Sequence, residues 1–169
     1  SWIGAGKAWY DAADDRFYLT ARPRTAKDDE RGYAAVIYTS SDGVEFSRAG
    51  EITKRQAQEI SGVALHSIEG TQLLRDPATG KWMFYLSVDT GDAFVWGGVK
   101  WETVIFSAYS LEGPWSYEGF AFRNGNTYDS MQARDSSIDI VDGRWIALYK
   151  GKDDERNEHP ALALSRDGI

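Results

Sequence analysis

Trp9-Tyr10-Asp11-Ala12-Ala13-Asp14-Asp15-Arg16-Phe17-Tyr18-Leu19, Leu74-Arg75-Asp76-Pro77-Ala78-Thr79-Gly80-Lys81-Trp82-Met83-Phe84 and Ile140-Val141-Asp142-Gly143-Arg144-Trp145-Ile146-Ala147-Leu148 are three versions of one pattern. Each reads as a strand, a turn rich in Asp and Gly, and a second strand opened by an aromatic residue. The anchoring aromatics Phe17, Trp82 and Trp145 recur at a nearly constant period of roughly 64 residues, the mark of a repeat architecture.

Each unit has a second half, a β-rich run that meets a Gly-containing turn: 36–43, 104–113 and 161–168. A fourth strand follows at 45–48 in the first unit and 115–122 in the second, and the third unit stops after three strands at Ile169. Four antiparallel strands per unit predict an all-β chain, a β-propeller of four-stranded blades. The expected division is blade 1 over about 1–60, blade 2 over about 61–126 and a partial blade 3 over about 127–169, roughly two and three-quarter blades in one partial propeller domain. Missing blades are expected from the remaining chain or another subunit, because an open ring leaves strand edges that need cover.

Composition agrees. With 42% hydrophobic and 14% aromatic residues in 169, the chain can build a core, and its 17 Gly and 2 Met suit strands and tight turns. A formal charge of −7, from 26 Asp and Glu against 19 Lys and Arg, opposes docking on nucleic acid or an anionic membrane. No apolar run approaches the roughly 20 residues of a membrane span. The start Ser1-Trp2-Ile3-Gly4 has neither an initiator Met nor a leader pattern, which suggests a cut or processed N-terminus. The absence of Cys excludes disulfides and thiolate chemistry and leaves the compartment open.

Loop lengths divide the molecule into two ends. Asp14-Asp15, 76–80, Asp142-Gly143 and Asp42-Gly43 are short turns, whereas 22–32, 89–101 and 150–159 are long and charged. Long loops gathered at one end of a rigid scaffold are where a ligand is expected. Trp96, Trp101, Arg22, Arg24, Asp89, Glu102, Lys150 and His159 sit in or beside them and are candidate ligand contacts, as is Arg134. Trp82, Phe84 and Trp145, inside strands, are read as packing residues.

Ser67-Ile68-Glu69-Gly70 with Asp76-Pro77-Ala78-Thr79-Gly80-Lys81-Trp82-Met83-Phe84 resembles the inner-strand and hairpin pattern of the five-bladed propeller glycosidases, glycoside hydrolase family 43 with its invertase-like and mannoside-phosphorylase relatives. Ser110-Leu111-Glu112-Gly113-Pro114-Trp115 is similar to their third-turn motif, and Ala133-Arg134-Asp135-Ser136-Ser137-Ile138 to their inner-strand start. The resemblance implies a five-bladed ring, a carbohydrate ligand, and acids on the inner strands of different blades. The matching positions are Gly4, Glu69 and Asp135, and Gly4 carries no carboxylate. Ser136 stands where the family has proline, and Asp76 falls in a hairpin, where Asp-Pro starts a turn.

Hydrolysis of a glycosidic bond needs two carboxyl groups, one to protonate the leaving oxygen and one to act as base or nucleophile. Glu69 and Asp135 are the expected catalytic pair, Glu69 as general acid and Asp135, beside Arg134, as the ionised partner. The alternative is a non-catalytic carbohydrate-binding or scaffold propeller. A protein-interaction propeller is weaker, since the Gly-His and Trp-Asp pairs of that repeat are lacking. No cofactor is required; the family implies calcium in the central channel as an optional one, although no residue marks its site. His66 and His159 have no second ligand at metal spacing, so no metal ligand is assigned. A nucleophile-elbow motif is absent, and Gly4-Ala5-Gly6-Lys7 lacks the flanking glycine of a phosphate loop.

Overall fold

A computed structural model describes residues 2–25, 31–93 and 98–169. Three antiparallel meanders follow one another. The first holds β1 (Trp2–Asp11), β2 (Arg16–Arg24), β3 (Ala34–Ser40) and β4 (Ser47–Thr53), paired in chain order. The second holds β5 (Ser67–Arg75), β6 (Trp82–Asp89), β7 (Trp101–Ala108) and β8 (Ser116–Phe122). The third holds β9 (Gln132–Val141), β10 (Arg144–Lys152) and β11 (Glu158–Ser165), joined to the second by one parallel bridge between Trp101 and Gln132. Among the described residues neither sheet closes on itself.

Strand alternation assigns the two faces of the middle unit to two cores. Trp82, Phe84, Leu86 and Val88 pack toward the first unit with Tyr18, Ile37 and Ile52. Met83 and Tyr85 pack toward the third with Ile138, Trp145 and Ala147. Every residue of β6 and β7 is therefore buried, and the expected packing role of Trp82, Phe84 and Trp145 holds. The far face of the third unit is different: Leu148, Leu162 and Leu164 project into solvent there.

Two local expectations change. The first unit's fourth strand lies at Ser47–Thr53, later than 45–48. Asp42 explains the delay, since its Oδ1 accepts from the N–H groups of Val44 (2.9 Å) and Glu45 (2.9 Å) and so holds them in the turn. A helix α1 (Lys54–Ser61) then follows, which the all-β reading did not include. Thr53 and Gln56 form a reciprocal capping box at its start, and Gly62 ends it in the left-handed region at φ 70°.

Each innermost strand carries one extra residue at the same height. Gly6 and Lys7 of β1 oppose Thr20, Glu69 and Gly70 of β5 oppose Ser87, and Asp135 and Ser136 of β9 oppose Tyr149. The position equivalent to Glu69 and Asp135 is thus Gly6, which corrects the alignment with Gly4. The first unit still offers no acid, and a Cβ at Gly6 would stand 2.3 Å from Thr20 Oγ1 and 2.4 Å from Thr71 Oγ1.

Polar side chains tie these inner strands across the units. Thr20 Oγ1 donates to the Thr71 carbonyl at 3.0 Å, and Ser87 Oγ accepts from the Asp135 N–H at 2.9 Å. Gln72 forms a two-way link with Ile138, donating to its carbonyl (2.6 Å) and accepting from its N–H (2.8 Å).

Candidate functional site

β2 and β6 run out toward their long connections at the end where the bulges present Glu69 and Asp135, but the third expected long loop, 150–159, is a short turn at 153–157, because 150–152 complete β10 and 158–159 open β11. Glu69 is buried, and both of its oxygens are engaged. Arg22 Nη2 lies 2.9 Å from Oε2, while Arg31 Nη2 (2.7 Å) and Arg24 Nη2 (3.3 Å) converge on Oε1. Arg22 reaches this point by passing over Gly4, its cross-strand partner, where an added Cβ would meet its Nε at 3.0 Å. Burial pulls the Arg22 guanidinium below its ordinary pKa, and Glu69 partly offsets the effect.

Asp135 has a positive φ of 55°, uncommon for a residue with a side chain, and its backbone is held by Ser87. Its carboxylate is 39% exposed, open to a ligand in a way that Glu69 is not. Lys150 Nζ lies 3.4 Å and Arg134 Nε 3.5 Å from Oδ2. Oδ1 rests against Gly70, where a Cβ would come within 2.6 Å. Gly70 shares its bulge with Glu69, so the two carboxylates are carried by neighbouring bulges of adjacent inner strands.

Trp101 departs from its expected role as a ligand contact. It is fully buried, with the Arg134 guanidinium 4.5 Å from its ring centroid, Arg31 at 5.9 Å, and the ring so close to Gly98 that a Cβ there would stand 2.3 Å away. The indole supports the arginines from below. Asp89 and Glu102 are also turned inward, contrary to their expected ligand contacts. Asp89 accepts from the Gly91 N–H at 3.2 Å. Glu102, on the opposite side of β7 from Trp101, accepts from Thr90 Oγ1 (2.9 Å) and the Asn124 N–H (3.1 Å), so it braces the loop after β8.

Lys150 and His159 border an open groove of about 400 Å³ with Asp135, Tyr149 and Glu158. His159 Nε2 is 3.0 Å from Asp153 Oδ2, a contact that lowers the Asp153 carboxyl pKa. Sequence reading missed Arg31, which nothing in the charged run around it singles out. It also missed Tyr149, which opposes the Asp135 bulge, donates to Asp129 Oδ2 at 3.0 Å and stacks on Phe122 with centroids 4.4 Å apart. Burial, foremost, raises the pKa of its hydroxyl. Trp96 lies outside the described residues. Among the described residues no three His, Asp or Glu side chains converge as ion ligands. No helix among them is long and apolar enough to cross a membrane.

No protein-family model and no curated protein sequence matches the chain. Solved structures do. A family 117 glycoside hydrolase produced by the marine bacterium Zobellia galactanivorans superposes with a TM-score of 0.72 at 17% identity, over 98% of this chain and 53% of that one. A thermostable family-43 glycoside hydrolase gives 0.68 at 18% identity, over 98% and 50%. A glycosyl hydrolase from Bacteroides ovatus gives 0.61 at 15% identity, over 99% and 46%. These proteins have five-bladed β-propeller folds, so the meanders described above follow a propeller plan. The chain spans about half the length of the structures it matches.

Proposed function

We propose that the chain contributes the sugar-binding end of a glycoside-hydrolase-like propeller, and that Asp135 and Glu69 belong to the site that acts on the glycosidic bond. One observation carries this reading: equivalent bulges of neighbouring inner strands bear two carboxylates, with Asp135 Oδ1 against Gly70, the residue that follows Glu69. The meanders would form two complete blades and three strands of a third in a five-bladed ring, with the remaining blades supplied by further chain or another subunit.

The arginines revise the division of labour. Guanidinium groups only donate, so both Glu69 oxygens serve as acceptors and neither presents a proton to a leaving group in this geometry. Asp135, exposed and flanked by Lys150, is the carboxylate placed to meet the sugar, as base or nucleophile. Glu69 holds three arginines in position around it. The acid would then come from outside these three units, since Gly6 occupies the third equivalent position.

A non-catalytic carbohydrate-binding propeller is the second reading, favoured by that glycine and by the saturation of Glu69. Hydrolysis of activated aryl-glycosides and of substrates with poor leaving groups, measured beside sugar-binding calorimetry, separates the two. Turnover lost by a factor on the order of 10²–10⁴ in Asp135→Asn supports catalysis. Sugar binding without turnover in the unaltered protein supports the second reading. Glu69→Gln should slow both substrate types alike; a loss confined to poor leaving groups would return Glu69 to the acid role.

A further inference from the structure

The chain carries a formal charge of −7, yet among the described residues Arg22, Arg24 and Arg31 share the single carboxylate of Glu69, and Arg134 and Lys150 stand against Asp135, with Glu158 also beside Lys150. We propose that this site selects saccharides bearing an anionic group, a carboxylate or a sulfate ester, and that Arg22, Arg134 and Lys150 receive it. The proposal rests on the sugar-binding reading above and names the substrate class for it.

The donors are poised for such a group. Arg22 uses Nη2 for Glu69, and its Nε, enclosed over Gly4, has no hydrogen-bond partner among the described residues. Arg134 directs Nε toward Gln132 Oε1 at 2.9 Å and toward Asp135, and its face lies on Trp101. Its terminal nitrogens make no hydrogen bond among the described residues, so a planar fork stands fixed and available. Lys150 Nζ stands 3.4 Å from Asp135 and 3.6 Å from Glu158, at the border of the open groove. Arg22 sits in the repulsive fields of Arg24 and Arg134, and among the described residues Glu69 is the carboxylate that contacts it directly. A bound anion would relieve that repulsion, and guanidinium forks match carboxylate and sulfate oxygens in pairs. A neutral sugar would leave the repulsion in place.

Calorimetry of the protein with trigalacturonate, with a sulfated galactan oligosaccharide and with neutral xylotriose tests the proposal. An anionic saccharide should bind at least about ten-fold more tightly than the neutral one at low salt, the preference shrinking as salt is added. The carboxylate and sulfate arms decide which anion is preferred. Arg134→Gln and Lys150→Gln should each narrow the anionic-to-neutral ratio; Lys150 is the more exposed and serves if Arg134→Gln fails to fold. Equal affinity for neutral and anionic saccharides, or a ratio unmoved in both variants, overturns the proposal and leaves the sugar-binding reading intact. Absence of binding or turnover with every saccharide overturns both.

Discussion

Trp101 and Gly70 show how much of a site can depend on residues that touch no ligand. Trp101 is wholly enclosed beneath Arg134, so Trp101→Ala should destabilise the fold by about 3–5 kcal/mol, read from the midpoint of a urea transition. An unchanged midpoint would show that the indole is not a structural support. At Gly70 the room is what counts: Gly70→Ala would drive a methyl into Asp135 Oδ1. Expected is a fall in sugar binding or turnover, with far-UV circular dichroism unaltered; retained activity would place Asp135 elsewhere in the working molecule. The two candidate carboxylates were singled out in the sequence by the family resemblance together with the repeat alignment, and the fold sets both on equivalent bulges. The arginine cage was not, since Arg31 approaches Glu69 only through the fold, and the alternation of β7 that buries Trp101 and Glu102 cannot be read without knowing which face meets a neighbour.

At the level of elements, turns and caps make the most direct tests. Asp42 has its carboxyl pKa held at about 2 by the N–H groups of Val44 and Glu45. A depressed folded-state pKa means that the stabilisation is fully present above the unfolded value near 3.9 and is lost as pH falls toward about 2. The gap in melting temperature between the native protein and Asp42→Asn should therefore be constant near pH 6 and close progressively below about pH 4. A gap independent of pH would mean that the turn does not need the charge. Thr53→Ala removes the capping box of α1 and should cost about 1 kcal/mol in chemical denaturation. This box was present in the sequence as Thr-x-x-Gln followed by Gly62, and it was overshadowed by the strand repeat. The strands themselves were readable because Asp-Gly turns and aromatic openings recur, whereas the start of β4 depended on how many N–H groups Asp42 captures.

Across the whole molecule, the units cohere through large apolar faces and a few polar links. Gln72→Leu would leave the N–H and carbonyl of Ile138 without partners and should cost about 2–4 kcal/mol, with faster amide exchange at Ile138 as the local signature. Exchange unchanged there would show that Gln72 does not hold this junction. The repeated bulge has a further consequence. A residue in a regular strand is bound to the pleat, so changing it disturbs a core on one side. A bulge residue escapes that obligation. Glu69, Asp135 and Gly6 occupy the same opening with an acid, an acid and no side chain, while the blades around them keep their pairing. The inner strands thus carry one socket per unit, two of them furnished with an acid and the third shut by Thr20 and Thr71, so restoring an acid there means rebuilding the threonine wall first.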